Sequence, residues 1–335
     1  MSITAKQLAK ELGLSEAAVS MALNNKTGVS ATTRRMVIKA AQDKGYDFSR
    51  IKEKQERLGS VHVVFYRTHN AILSYAPIFD ELYDGIRSVC QKSHVISHVI
   101  HFYEKTDDLE MYFGDIRTSD CCGIILVGTE LRKEICLRFL SLGLPVVLLD
   151  TYFDSVSCNC ILINNQQGAY LATDFLISRY HAQPGYLKSS YSIPNFEERR
   201  NGYFRAIKEN GMSSSRSIIH ELAPSIEDAT ADMLAVIDNH DPLARCYFAD
   251  NDMIAIGAIK ALKARGYKIP DDVAIIGFDN IAESRIIEPA LTTMDVPRFS
   301  IGETAAEVLL SQIRSADLYY RKIEISTSME LRGSH

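Results

Sequence analysis

Residues 4–24 constrain this chain more than any other stretch. Ala5, Leu8, Ala9 and Leu12 recur at helical spacing behind Thr4, whose hydroxyl suits an N-cap. Gly13-Leu14 interrupts the pattern, and Ser15 opens a second short helix with Ala18, Val19, Ala22 and Leu23 as its apolar positions. Two short helices about a tight turn containing glycine are the layout of a helix-turn-helix, whose second helix enters the DNA major groove. An αα-hairpin buried in some helical core is the alternative. Downstream, residues 24–34 end the second helix and cap a third, which carries Met36, Val37, Ala40 and Ala41 on one face and closes at Lys44-Gly45-Tyr46.

Charge separates the two readings. The net charge of −5 conceals +5 over residues 1–60 and −10 over the rest. A basic head on an acidic body suits a phosphate-binding module joined to something that avoids nucleic acid.

The stretch resembles the DNA-binding headpiece of the lactose-repressor/galactose-repressor (LacI/GalR) family. Matching residues are Leu8-Ala9, Gly13-Leu14-Ser15, Ala18-Val19-Ser20, Leu23-Asn24, residues 29–34, and Ala40-Ala41 leading to Gly45-Tyr46. The resemblance places Glu16, Ala17 and Met21 where bases are read, and Thr4, Ser15, Ser20, Asn24, Ser30 and Thr33 near phosphates. The family commonly has arginine at the Met21 position. Methionine cannot donate to guanine, so the resemblance implies an operator outside the usual consensus.

Residues 49–58 are strongly charged and offer no apolar face, which reads as a linker. In the resembled family this linker becomes a hinge helix on DNA whose leucine wedges into the minor groove. Here Phe48-Ser49 replaces the usual Pro-Asn, and Lys52 and Gln55 replace the hinge alanine and leucine. A wedge must be apolar to replace base stacking, so Gln55 is a poor one.

From Val61 onward, short apolar runs alternate with amphipathic stretches. Strands are predicted at 61–65, 95–102, 123–127, 145–149, 160–163, 246–249 and 273–278. Helices are predicted at 79–90, 109–116, 134–142, 169–179, 200–210, 229–237, 253–265 and 301–313. Continuous apolar strands alternating with helices indicate doubly wound parallel sheets covered on both faces. So many units in one chain indicate two packed domains.

The resemblance continues through Ala76-Pro77-Ile78-Phe79, residues 143–150, Arg199 with Gly202-Tyr203, residues 250–258, Gly277-Phe278-Asp279-Asn280 and residues 289–293. It implies an all-α helix-turn-helix headpiece over 1–48, a linker over 49–58, and a periplasmic-binding-protein-like α/β sensor over 59–335. That sensor would have an N-subdomain of about 59–162 and 292–320, and a C-subdomain of about 163–291 and 321–335.

Ligands of open parallel sheets bind outside the carboxyl ends of the strands. Asp150, Asn164, Asp250, Asn251 and Asp279 each follow an apolar run and qualify. Such groups either converge on a polar ligand or cap the next helix; Asp252 and Asn165 read as caps. The resemblance assigns effector contact to Arg199, Asn251 and Asp279, and extends it to Asp150. Tyr66, Tyr75 and Phe79 flank the same edge, where they would stack on a sugar or belong to the core. The family's polar residues after the first strand are replaced by Arg67-Thr68-His69-Asn70, its frequent arginine after the Asp150 position by Thr151, and a frequent polar residue by Val296.

No phosphate-cradling or dinucleotide glycine motif, nucleophile elbow or His-Glu-x-x-His is present, which argues against an enzyme. His94, His98 and His101 fall on a predicted strand that points His101 away from the other two. Seven cysteines, an odd and scattered set, do not form a disulfide framework, and Cys158-Asn159-Cys160 lacks a second ligand pair. No cofactor is expected. With no apolar run that spans a bilayer and no signal-peptide core, the expected location is the cytoplasm.

The expectation is therefore a dimeric repressor that binds a near-palindromic operator and is switched by a small molecule. The resemblance implies a carbohydrate effector, with a purine or related metabolite as the alternative. A sugar-binding transport protein and a Rossmann-like enzyme are the readings from other classes.

Overall fold

The computed structural model describes residues 3–23, 29–47, 59–68, 77–314 and 319–335. The chain forms two compact units that divide between Gly59 and Ser60.

The first unit holds α1 (Ala5–Leu12), α2 (Glu16–Leu23) and α3 (Ala31–Asp43). Each start is capped as its sequence requires. Thr4 and Gln7 form a reciprocal capping box, Ser15 Oγ accepts the Ala18 N–H at 3.1 Å, and Ser30 Oγ accepts the Thr33 N–H at 3.1 Å. Gly13 ends α1 at φ +64°, a left-handed conformation that glycine adopts without penalty, which turns the chain into α2. Leu8, Ala9, Val19, Ala22, Leu23, Val37 and Ala41 pack into one small core. Met36, expected on the apolar face of α3, is instead 49% exposed.

The second unit contains β1 (Ser60–Arg67), α4 (Pro77–Lys92), β2 (Ile96–Tyr103), α5 (Leu109–Thr118), β3 (Cys121–Val127), α6 (Lys133–Leu140), β4 (Val146–Leu149), β5 (Asn159–Ile163), α7 (Asn165–Tyr180) and β6 (Gly185–Ser189). There follow α8 (Pro194–Glu209), β7 (Ile219–Leu222), α9 (Ile226–Asp238), β8 (Cys246–Ala249), α10 (Asp252–Ala264), β9 (Ala274–Asp279), α11 (Glu283–Ile286), β10 (Thr292–Asp295), α12 (Arg298–Arg314), β11 (Lys322–Ile325) and β12 (Ser328–Glu330).

Two six-stranded sheets result, ordered β11-β5-β4-β3-β1-β2 and β12-β10-β9-β8-β6-β7. All pairings are parallel except β12 on β10. Separate apolar cores flank them, one around Ile124, Leu126 and Phe139, the other around Tyr247, Ile259 and Ile275.

The chain passes between the subdomains three times: after β5, between β10 and α12, and between β11 and β12. The later two crossings fall downstream of the expected 291 and 320. Residues 292–295 pair with β9 in the second sheet, and residues 322–325 pair with β5 in the first. Neither strand announces itself by an apolar run, because β10 buries Thr292 and Thr293 and β11 alternates charged with apolar residues.

All seven cysteines are free, with Cys158 Sγ 3.8 Å from Cys160 Sγ. On β2, His98 lies edge-on to His62 and His101 stacks on Phe65, so the two rings occupy opposite faces of the sheet. Among the described residues no helix is long and apolar enough to cross a membrane.

Candidate functional site

The carboxyl ends of both sheets face one cavity of about 110 Å³ between the subdomains. Phe79, Asp150, Arg199, Asn251 and Asp279 line it. Asp150, Asn251 and Asp279 stand at strand ends, Phe79 and Arg199 on helices, and the strand-end residues Asn164 and Asp250 are not in it. Asp150 follows β4 at φ +65° and Asp279 ends β9 at φ +108°. These uncommon conformations swing the chain away from the sheet where the carboxylates turn, and such backbone strain is characteristic of functional sites.

Arg199, from α8, is 3% exposed and organises the C-terminal wall. Its Nε donates to Asn165 Oδ1 at 2.9 Å, Nη1 to the Asp250 carbonyl at 2.5 Å and Nη2 to Asp279 Oδ1 at 3.1 Å. The guanidinium lies 3.8 Å from the centre of the Phe278 ring, a stacked cation–π contact. Removing the guanidinium would strand a carboxylate and a carbonyl in a closed site.

Two hydrogen bonds join the walls. Asn195 Nδ2 of the C-terminal subdomain donates to Asp150 Oδ1 at 2.8 Å; the other Asp150 oxygen accepts from Thr129 Oγ1 of its own subdomain. From α12, packed on the first sheet, Arg298 Nη2 donates to the Asp279 carbonyl. Burial raises the Asp150 carboxyl to about 6, against hydrogen bonds from Thr129 and Asn195 that hold it down.

Asn195 and Arg298 were not anticipated. The only local signal was a proline at a helix start, Pro194 beside Asn195 and Pro297 beside Arg298. The strands before them, β6 and β10, carry no apolar run that would have pointed to a cleft.

Four strand-end residues do something other than expected. Tyr66 is not in the cavity: it is fully buried in the N-terminal core, stacked on Phe102 at 5.4 Å between ring centres. Asp250 faces the C-terminal core, where Tyr186 Oη and the Ser189 N–H donate to it. Asp252 and Asn165 are not caps. The caps are their predecessors: Asn251 Oδ1 accepts the Ile254 N–H and Asn164 Oδ1 accepts the Gln167 N–H. Asp252 turns inward instead, accepting from Thr293 Oγ1 at 2.5 Å and the Ile281 N–H at 2.9 Å. It lies so close to Gly277 that a Cβ there would sit 2.1 Å from its Oδ1. Tyr75 lies outside the described residues.

In the first unit, Thr4, Ser15, Glu16, Ala17, Ser20 and Ser30 are exposed, while Met21 and Thr33 are half-buried. Val19, Ala22 and Leu23 of α2 go to the core, while Glu16, Ala17 and Ser20 are exposed on another face of the helix. Glu16 Oε1 lies 3.8 Å from Lys6 Nζ in an exposed ion pair. Asn24 and the linker lie outside the described residues.

Two subdomains built on largely parallel sheets, with a cleft at their strand ends, define an α/β module of the periplasmic-binding-protein-like kind. The family described as periplasmic binding protein-like domain matches residues 173–335. The chain is 27% identical over 335 residues to the HTH-type transcriptional repressor PurR of Aliivibrio salmonicida (strain LFI1238), a match covering 99% of this chain and 98% of that one. Its fold matches a transcriptional regulator CelR–cellobiose complex with a TM-score of 0.74 at 21% identity, over 99% of this chain and 100% of that one. It matches the lac repressor dimer bound to operator and the anti-inducer ONPF with a TM-score of 0.70 at 19% identity, over 100% and 99%. Along nearly its whole length the chain resembles the LacI/GalR family of transcriptional regulators.

Proposed function

We propose that this protein is a sequence-specific DNA-binding transcriptional repressor whose operator affinity is set by a small molecule in the inter-subdomain cleft. The observation that carries the reading is the coexistence, on one chain, of a capped three-helix unit whose α2 exposes Glu16, Ala17 and Ser20 and a cleft whose polar groups come from both subdomains. Residues 1–48 act as the DNA-binding unit, 49–58 as the linker and the remainder as the sensor. Such a protein works in the cytoplasm, where its operator is, and as a regulator rather than an enzyme.

The effector is a carbohydrate or carbohydrate derivative. Convergent Asp, Asn and Arg groups suit hydroxyls, and the CelR relative is named as a cellobiose complex. A purine is the second reading, favoured by the apolar share of the cavity lining. The working state is a homodimer on a near-palindromic operator, since one three-helix unit reads one half-site. Edge strand β2 supports this: Ile96, Val99 and Tyr103 are exposed along it, as on a surface that a second copy covers.

The test is fluorescence-anisotropy titration of operator DNA, selected from random sequence by the full chain, with and without a panel of sugars and purines. We expect salt-dependent, sequence-selective binding that one class of compound shifts at least tenfold. Equal affinity for selected and scrambled DNA would refute the regulator reading.

A further inference from the structure

Asp279 and Asn280 are consecutive non-glycine residues with positive φ, +108° and +52°. Such a backbone persists only where the surrounding bonds over-determine it. Here they do. The Asn280 N–H donates to Thr293 Oγ1 at 3.3 Å, and the Ile281 N–H to Asp252 Oδ2 at 2.9 Å. The buried Asn280 side chain adds two more bonds: Nδ2 donates to Asp295 Oδ1 at 2.6 Å, and Oδ1 accepts from Arg332 Nη2 at 2.5 Å.

That amide has one workable orientation. A guanidinium only donates and a carboxylate only accepts, so Oδ1 must face Arg332 and Nδ2 must face Asp295. Asp279 and Asp295 are register partners at the ends of β9 and β10. Three residues beyond Asp295, Arg298 reaches back to the Asp279 carbonyl. The contacts therefore close a ring through Asn280, Asp295, Arg298 and Asp279, and Arg332 grips it from outside.

Arg332 is well placed to grip. It follows β12, is half-buried, and stays outside the cavity lining. Its Nη1 donates to Ser284 Oγ and to the Leu291 carbonyl, each at 2.8 Å, and its N–H to Thr292 Oγ1 at 2.8 Å. Anchoring of the chain end is a separate task, done by Ser334, whose Oγ accepts the Thr292 N–H and donates to the Ile275 carbonyl.

We propose that Arg332 is a positioning residue of the cleft. Through Asn280 it holds the turn that presents the Asp279 carboxylate to the effector and the Asp279 carbonyl to Arg298. This rests on the reading of the cleft as the effector site. Without the guanidinium the Asn280 amide loses the partner that orients it, and the strained turn relaxes while β9 keeps its place in the sheet.

The test is hydrogen exchange by mass spectrometry on the full chain, with Arg332→Gln and Asn280→Asp as variants and Ser334→Ala as the control. Asn280→Asp keeps an acceptor for Arg332 but sets a carboxylate against Asp295. Two variants are used so that loss of fold in one, seen by circular dichroism, leaves the other. Each should quicken exchange of the Asn280 and Ile281 amides at least tenfold and leave Thr292 within twofold. Ser334→Ala, which removes the acceptor of the Thr292 N–H, should do the reverse. Operator titration follows, using whichever compound of the sugar and purine panel shifts operator binding of the wild type. Its half-maximal concentration should rise at least tenfold in Arg332→Gln and less than twofold in Ser334→Ala.

Unchanged exchange at 280–281 in both variants, or an equal rise at Thr292, would overturn the proposal. So would a normal response in Arg332→Gln where Asp279→Asn has lost it. The underlying reading fails separately: if Asp279→Asn responds like the wild type, or no compound acts, the cleft reading falls. Exchange alone then decides whether Arg332 holds the turn.

Discussion

Asn195 donates a 2.8 Å hydrogen bond to Asp150 across the cleft, so a residue of the second subdomain caps a carboxylate of the first. A ligand that shifts the subdomains must change this bond, because a ligand acts only through its different affinity for the two arrangements. With Arg298 on the Asp279 carbonyl, the bond ties the two walls of the cleft together through the chain's own side chains.

Asn195→Ala should therefore loosen the cleft. A hydrogen bond of this kind contributes on the order of 1 kcal/mol, a shift of roughly fivefold toward the open arrangement. Hydrogen exchange should quicken at residues 150–154 and 189–195 and stay unchanged in the core of β8. Unchanged exchange on both sides of the cleft would show that the bond carries no share of closure.

Asp279 and Arg199 are both cleft residues, yet their variants should behave differently. Arg199 holds Asn165, the Asp250 carbonyl and Asp279 while 3% exposed, so Arg199→Ala leaves a charge and two acceptors unpaired. Losing one partner of such a pair costs about 3–5 kcal/mol, enough to lower the Tm by many degrees. Asp279→Asn keeps the shape and an acceptor. It should lose at least tenfold in effector response while retaining operator affinity. Operator titrations with and without effector, beside thermal melts, separate the two; an Asp279→Asn protein with a normal response would remove Asp279 from the site.

The parts of the molecule legible in sequence are those decided locally. Thr4, Ser15 and Ser30 cap their helices because an N-cap needs only its own hydroxyl and the next turn. The covered strands β1, β3, β4, β8 and β9 were legible because burial on both faces leaves a continuous apolar run. That same burial hid the direction of Tyr66: with Phe65 and Tyr66 both buried on opposite faces, alternation gives no clue to which faces the cavity. Strands β6 and β7 were missed because Lys188, His220 and Glu221 interrupt their apolar pattern. The choice between Asn251 and Asp252 as cap depended on where the backbone turns after β8, a tertiary matter decided by Thr293, Ile281 and the space beside Gly277.

Burial also predicts a pH dependence. It raises the carboxyls of Asp150, Asp250 and Asp252 to about 6, about 7 and about 8. The native state then holds protons that the unfolded chain has released. Their contribution to stability is full below the ordinary carboxylate range and is lost as pH rises through 6 to 8. His62, His101, His220 and His335 are lowered, chiefly by burial, and act in the opposite sense below about 6.5. Asp252→Asn isolates the carboxyl effect, because an amide can satisfy both Thr293 and the Ile281 N–H. Between pH 5 and 8 the wild type should lose stability relative to this variant, on the order of 1 kcal/mol per pH unit. A constant Tm difference across that range would show Asp252 to be ionised throughout in the native protein.

The face of α2 sets the last prediction. Val19, Ala22 and Leu23 carry its packing, while Met21 is half-buried and absent from the small core that those residues form. Met21 is therefore free to meet a base edge, with apolar contact to a thymine methyl as its only means of discrimination. Met21→Ala should change preference at one position per half-site by about 1–3 kcal/mol. Thr4→Ala, by contrast, removes the cap of α1 and should cost about 1 kcal/mol of stability in the first unit together with a uniform loss of affinity. Selecting operators from random sequence with each variant distinguishes a changed preference from a uniform loss. If Met21→Ala weakens all sequences alike, Met21 supports the helix and reads nothing.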